Sequence, residues 1–336
     1  MAKIKGKRPR GRRAPPRRCL LIVNPRSGRG RYREYLSYVE QYFGKRVIPL
    51  EIRFTERPGH ATELAREASA KGFDVVIGAG GDGTINEVLN GLAGTDAKLA
   101  ILPWGTGNVF AREMEFPKRL KGQCAVIARG RSLRLDTGKC GDKRFLLMCG
   151  AGFDAYSLKQ IEGLGLKRAA GMLAYVIGGI RAFARYRFPE MDAEFPDGRR
   201  VRCGFALVSN TSRYGAFFSI SPKARPNDGL LDVFLYRQGG RFGMIRLVLA
   251  VIRSVFGQSG VVKPLPALKR AAWYRVKSLR RVSAGKGFTQ LDGDLSRPLP
   301  AEISVEPASV SCILPAKAIR RLRRGEANRP SARDRT

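Results

Sequence analysis

The sequence predicts an N-terminal α/β domain followed by a β-rich domain. Three observations carry this. Strand and helix patterns alternate up to about residue 130, glycine-rich turns at 24–30, 78–83 and 105–107 all close strand patterns, and beyond 130 short strands separated by turns dominate. A chain of 336 residues also exceeds what one ordinary core comfortably supports.

The elements follow in order. "CLLIVNP", Cys19 to Pro25, reads as a buried strand ending in a turn, and "SGRGRYREYLSYVEQYF" continues at helical spacing. "VIPLEIRFT" (47–55) is a second strand, and "GHATELAREASAKG" a helix stopped by Gly72. "DVVIGAG" is the third strand, "TINEVLNGLAG" a helix, "KLAILPWG" the fourth strand, and "TGNVFAREM" leads into another helix. Such alternation with short connections gives a parallel sheet covered on both faces, with ligands bound at the carboxyl ends of its strands. Later, "FLLMCGAGFDA", "RCGFALVSNT", "GLLDVFLY" and "RRVSAGKGFTQLDGD" read as strands, interrupted by helical patterns at 166–186 and 243–256.

Composition excludes several classes of function. The six cysteines form no CxxC pair, which favours reduced thiols over bridges or a metal site. The single histidine, His60, would have to carry any Ser-His-Asp triad or His-rich zinc site alone; it is read as a helix-entry residue. No apolar run reaches membrane-spanning length and the N-terminus lacks an apolar signal region, so a cytoplasmic protein is expected. The formal net charge of +35 calls for an anionic partner. "KIKGKRPRGRRAPPRR" holds nine basic residues and no acid. Residues 1–17 and 319–336 are therefore expected to be disordered basic tails, serving either membrane attraction or solubility in an arginine-rich chain. No helix-turn-helix, RRM signature or aromatic clustering supports nucleic acid as the partner.

Chemistry concentrates in the three glycine turns. In "GAGGDGTINE", Gly80, Gly81 and Gly83 permit close approach of a phosphate to backbone N–H groups, and Thr84 with Glu87 reads as a capping box for the next helix. Asp82 lies among these glycines, where a bare carboxylate repels phosphate unless a metal or a transferable proton intervenes. "NPRSGRGR" (24–31) and "LPWGTGN" (102–108) are weak signals singly and strong together with the first.

The order NPxSG, T-x3-GHA, GGDGTxNE, LPxGTxN, GxGFDA, DG-x-LDV and LDGD, from Cys19 to Pro315, resembles the diacylglycerol kinase/sphingosine kinase family of lipid kinases, in its soluble bacterial two-domain form. The resemblance implies a Rossmann-like α/β domain at 18–130, onto which 296–318 packs back, a β-sandwich-like lipid-substrate domain at 131–295, and an active site in the cleft between them. It implies ATP and Mg²⁺ as cofactors. ATP contacts fall on Asn24, Pro25, Arg26, Ser27, Gly28, Thr55, Gly80, Gly81, Asp82, Gly83, Thr84, Ile85, Asn86, Glu87 and Thr106. Asp82 matches a carboxylate that serves Mg²⁺ through water or acts as base. In "QLDGDLSRP", Asp294 matches the proton acceptor, with Asp292 as the rival. Arg225 and Leu230, through backbone, and Asp228, through its side chain, match a structural Mg²⁺ site.

Two positions depart from the family pattern: the usual Glu of its DGE motif is Asp294, and the aspartate that often follows GTxN is Val109. The implied reaction is γ-phosphoryl transfer from ATP to a lipid hydroxyl, with diacylglycerol as acceptor. A sphingoid base, NAD or a purely lipid-binding role are the alternatives; NAD kinase shares the GGDG logic, while GTxN and DGD favour a lipid kinase. The lipid substrate and an anionic membrane surface are the expected partners, with reversible electrostatic attachment at the inner face of the membrane. "MIRLVLAVIRSVF" reads either as a surface-lying helix or as a packing helix with a basic outer stripe. Oligomeric state stays open, a homodimer included.

Overall fold

The computed structural model describes residues 18–28, 31–163, 179, 181–215, 218–256, 270–284 and 287–327. The predicted tail 1–17 and most of the predicted helix 166–186 lie outside the described residues.

The first half is the predicted parallel sheet. Strands β1 (Cys19–Val23), β2 (Leu50–Phe54), β3 (Val75–Gly80) and β4 (Lys98–Pro103) lie in the order β2-β1-β3-β4. β1 is buried along its whole length and its residues alternate between two cores. Leu20 and Ile22 face helices α2 (His60–Ala70) and α3 (Asp82–Leu92), while Cys19, Leu21 and Val23 face α1 (Tyr32–Gly44). This is the period-2 consequence of covering a parallel sheet on both faces, and it explains why the strand reads as one unbroken apolar run. Short α4 (Val109–Glu113) and α5 (Leu120–Arg129) follow β4. The separate helix α5 was not anticipated from sequence.

The second half is a two-sheet sandwich. A six-stranded antiparallel sheet runs β14 (Ala271–Val276), β13 (Leu231–Tyr236), β10 (Phe205–Ser209), β7 (Met148–Ala151), β16 (Phe288–Leu291), β17 (Asp294–Pro298). Opposite it, β8 (Met191–Glu194), β9 (Arg200–Cys203), β15 (Ser278–Ser283) and β18 (Ala301–Ile313) extend the N-terminal sheet to ten strands, with β5 (Ser132–Cys140) and β6 (Lys143–Phe145) branching from β18. Val208, Leu231 and Val233 of one sheet pack with Phe195, Leu279 and Val282 of the other. β8 and β9 alternate buried and exposed residues, as an antiparallel pair with one solvated face does, whereas β7, β10 and β13 are buried from end to end, with Val208 and Val233 in the sandwich core and Leu207 and Phe234 in the core that also takes in Leu20 and Ile22.

β18 joins the halves. Its end pairs in parallel with β4 (Ser311 with Lys98, Cys312 with Leu99), and its start pairs antiparallel with β15. Between Glu306 and Val310 its register against β5 shifts, and Ala308 there takes φ 48°. The carboxylate of Asp136 on β5 accepts the Ala308 N–H at 2.7 Å and the Gly229 N–H at 2.6 Å, holding the bulge and the 226–230 turn together.

Two expectations are corrected here. Residues 319–327 are not a disordered tail: Ala316–Ala327 is a helix whose Ala318, Ile319 and Leu322 are buried, so its arginines form only the outer face. Thr84 and Glu87 do not make a capping box: α3 begins at Asp82 with Gly81 as N-cap and no side-chain cap. That places Glu87 too deep to reach back. Its carboxylate instead accepts the Gly59 and Ala61 N–H groups at 2.9 and 3.1 Å, at the start of α2.

α2 and α3 meet at Gly91, where an added Cβ would stand 2.4 Å from the Thr62 carbonyl oxygen and 2.6 Å from Ala65 Cβ. Helix propensity favours Ala over Gly by about 1 kcal/mol. A clash with backbone cannot be relieved by rotating a side chain, and overpacking costs about 1–3 kcal/mol. We expect Gly91→Ala to lower the urea midpoint despite the better helix former; an unchanged or raised midpoint would show that the two helices separate freely.

Candidate functional site

The turn after β3 and the turn after β4 touch through glycine. A Cβ on Gly105 would lie 2.5 Å from Gly81 Cα, so no side chain fits between them. Trp104 N–H and Gly105 N–H both donate to the Gly80 carbonyl, at 2.9 and 3.1 Å. Asn108, at φ 49°, closes its own turn by donating to the Gly105 carbonyl and accepting the Gly105 N–H. Asp82 completes the joint, its two carboxylate oxygens accepting the Val109 and Phe110 N–H groups at 3.0 and 3.1 Å. The carboxylate that looked out of place among glycines thus caps the helix of the next loop. Burial raises its pKa, neighbouring Asp294 adds to that rise, and the two N–H bonds oppose it.

The first turn joins the same corner. Asn24 donates to Thr84 Oγ1 at 3.0 Å and accepts the Arg26 N–H at 3.0 Å, and Thr55 N–H pairs with the Val23 carbonyl at 2.9 Å. Of the residues expected to contact ATP, Asn24, Arg26, Thr55, Gly83, Thr84, Asn86 and Glu87 line a cleft of about 960 Å³. Pro25, Ser27, Gly28, Gly80, Gly81, Asp82 and Thr106 do not line it, and the Ile85 side chain is buried in the core. Arg57, Arg66, Lys143 and Arg144 also line the cleft. None of the four stands out in sequence, because each reaches the site from an element whose placement depends on the tertiary fold.

From the other side comes the hairpin between β16 and β17. Asp292, at φ 52°, has its carboxylate enclosed by four donors. Leu146, Leu147 and Met148 give backbone N–H bonds of 2.8, 2.8 and 3.0 Å, and Asn86 of α3 donates at 2.8 Å. Asn86 and Asn90 also donate to the Arg144 carbonyl, fastening α3 to β6. Two residues on, the Asp294 carboxylate lies against the first turn of α3, where a Cβ on Gly83 would be 2.7 Å from Oδ2. Asp294 is exposed to the cleft. Gln290 sets the hairpin: its Oε1 accepts the Gly293 N–H at 2.8 Å, and its Nε2 donates to Asp154 at 2.8 Å. Asp154, from the GFDA motif, also accepts the Tyr214 hydroxyl at 2.5 Å, and its pKa is raised by burial.

Among the described residues no group of three or more His, Cys, Asp or Glu gathers to hold a metal ion. Asp82 still suits Mg²⁺, which takes one or two carboxylates and completes its shell with substrate phosphates and water. The Arg225–Leu230 turn does not fit a metal as arranged. Asp228 is ion-paired to the Arg275 guanidinium, which also meets Asp232 at 3.3 Å, and Asp228 accepts the Leu230 N–H at 3.1 Å. Arg225 packs against Gly325 of the C-terminal helix.

Known proteins resemble this chain across both of its halves. A family model described as diacylglycerol kinase catalytic domain matches residues 18–140, and one described as YegS C-terminal NAD kinase beta sandwich-like domain matches residues 148–314. A diacylglycerol kinase of Bacillus subtilis (strain 168) is 33% identical over 243 residues, 70% of this chain and 79% of that protein. A diacylglycerol kinase of Mycobacterium tuberculosis (strain H37Rv) is 30% identical over 263 residues, 76% and 81% of the two chains. The crystal structure of a diacylglycerol kinase from Bacillus anthracis strain Sterne superposes with a TM-score of 0.68 at 23% identity, over 90% of this chain and 98% of that one, and so shares the fold.

The enclosed carboxylate gives the site a pH signature. Burial pushes Asp292 up to about 6 against the opposing pull of its four donors, whereas an aspartate in an unfolded chain titrates near about 3.9. The native state therefore keeps a proton that the unfolded chain releases over this interval. The group's contribution to stability is present below about pH 4 and is lost as pH rises through about 6, to a total of about 3 kcal/mol. Asp82 and Asp154 act in the same direction. Urea unfolding between these limits should show stability falling with pH, and Asp292→Asn should flatten that fall. An identical slope in the variant would place the titration elsewhere.

Proposed function

The chain belongs to the diacylglycerol kinase family of lipid kinases, and from that membership we propose that it transfers the γ-phosphoryl group of ATP, with Mg²⁺, to a lipid hydroxyl, diacylglycerol being the acceptor that its relatives' names favour. The observation that carries the site assignment is the contact between the Asp294 carboxylate and the first turn of α3 at Gly83. It brings a proton acceptor to a helix N-terminus, where first-turn N–H groups and the helix dipole favour phosphate.

Phosphoryl transfer asks for positioning and charge neutralisation rather than covalent chemistry. The 24–28 turn and the start of α3 hold the phosphates through backbone N–H groups, with Arg26, Arg57, Arg66 and Lys143 offsetting charge from the cleft walls. Asp294 takes the proton of the attacking hydroxyl. Asp292 is the weaker candidate for that role, because its oxygens already accept four hydrogen bonds; it fixes the hairpin that carries Asp294. Asp82 sets the loop after β4 through the Val109 and Phe110 N–H groups and would hold Mg²⁺, which would neutralise charge on the transferred phosphate. The short reach of Asp294 relative to a glutamate is offset by its closeness to Gly83, a residue without a side chain.

The basic segment 1–17 and the arginines at the C-terminus bring the protein reversibly to anionic lipid at the inner face of the membrane, each near-surface charge contributing about 1 kcal/mol.

The decisive test is labelled-ATP turnover with diacylglycerol, a sphingoid base and NAD as separate acceptors. Label should enter diacylglycerol, and Asp294→Asn should lower kcat by about 10²–10⁴-fold with little change in KM for ATP. Label in NAD alone, or an Asp294→Asn enzyme as fast as wild type, would overturn the assignment. Co-sedimentation with anionic vesicles should weaken as salt rises and on deletion of residues 1–17; capture indifferent to both would refute the electrostatic attachment.

A further inference from the structure

The helix Gly240–Phe256 turns its apolar residues the wrong way for a soluble surface. Met244 and Leu247 face the core, yet Phe242 is 81% exposed and Leu249 53% exposed, with Ile245 and Val248 exposed beside them. At 100° per residue, Phe242, Ile245 and Leu249 form one outward ridge with Val248 at its edge. Exposed Arg241 and Arg246 flank it. Between Asp232 and Asp292 the sequence holds twelve Lys and Arg residues and no Asp or Glu, so no acid from this segment counters the charge around the ridge.

A helix with an aromatic and aliphatic outer face between arginines suits the boundary between lipid headgroups and acyl chains. We infer that this ridge is the membrane-docking surface of the enzyme: Phe242 and Leu249 enter the headgroup–acyl boundary of an anionic bilayer while Arg241 and Arg246 meet the headgroup phosphates. Charge complementarity selects the bilayer over a second copy of this chain, whose corresponding face would be equally basic. The docked helix is wired to the proposed site. Arg241 donates to the Ala184 carbonyl at 3.2 Å, and Phe183 and Phe188 pack against Phe153 with ring centroids 6.4 and 5.5 Å away. Phe153 precedes Asp154, which reaches the Asp294 hairpin through Gln290. The inference rests on the lipid-kinase reading for its choice of partner and adds the part of the surface that makes the contact. It differs from the tails in kind, since tail attraction is screened by salt and apolar insertion is not.

The test uses the full chain with phosphatidylglycerol/phosphatidylcholine vesicles. At high salt, wild type should retain binding, and Phe242→Ser/Leu249→Ser should lose about tenfold or more of it. Both side chains are exposed, so the double variant should match wild type in thermal midpoint and in phosphorylation of detergent-dispersed diacylglycerol, while losing turnover of the same lipid in vesicles. As an independent check, Phe242→Trp should be quenched by brominated acyl chains. Equal high-salt binding by the double variant, no quenching of Phe242→Trp, or a double variant that loses a dimer but keeps vesicle binding would each overturn the inference. Absence of label in any lipid, detergent arm included, would instead strike at the kinase reading and leave the vesicle result to decide the docking surface.

Discussion

One carboxylate holds the working parts of this molecule in register. Asp292 accepts three consecutive backbone N–H groups from the turn before β7 and a fourth bond from Asn86 on α3. The first three belong to the β-rich half and the fourth to the α/β half. Leaving such a group unpaired would cost several kcal/mol, whereas full pairing makes its geometry nearly unique. The position of Asp294, two residues on, is a consequence: with Asp292 pinned and Gln290 holding Gly293, the hairpin delivers the Asp294 carboxylate to the start of α3.

The same economy recurs around the cleft. Asp82 caps α4 and joins two glycine turns, Glu87 caps α2 from α3, and Asp136 holds the β18 bulge against the 226–230 turn. Each is an acid satisfied by backbone N–H groups from a segment distant in sequence. In a chain with 28 acids against 63 basic residues, several of the acids are thus committed to holding loops, while the cleft is lined by Arg26, Arg57, Arg66, Lys143 and Arg144 together with Glu56, Glu87, Asp142 and Asp294. β18 supplies the mechanical counterpart, pairing at one end with the parallel sheet and at the other with the sandwich.

Much of this was legible in the residues. The parallel sheet announced itself through the apolar runs of β1, β3 and β4, each closed by a glycine turn, because a strand covered on both faces has no polar side to show; β2, at the edge, carries Glu51 and Arg53. The corner where the glycine turns meet was legible for a related reason: Gly105 is required by its backbone contact with Gly81, and such a requirement leaves a mark at a fixed position. Where the reading failed, two physical alternatives shared one pattern. Thr84 and Glu87 have capping-box spacing, but a side chain that can reach back can equally reach across, and only the packing of α2 on α3 settles which. The C-terminal arginines resembled a tail because charge dominates that stretch; three apolar residues at helical spacing, Ala318, Ile319 and Leu322, were enough to dock it.

The sequence by itself determined the family, the order of strands and helices as far as β4, and the three glycine turns at the strand ends. These follow from local periodicity and from glycine positions that no other residue fits. The division of labour among the carboxylates was decided only by the tertiary structure. Asp82, Asp292 and Asp294 are the same chemical group in two glycine-containing turns, Asp292 and Asp294 sharing one. Two backbone N–H donors hold Asp82 and four donors enclose Asp292, while Asp294 is exposed to the cleft. That count depends on contacts between residues as much as 206 positions apart, and no local pattern records it.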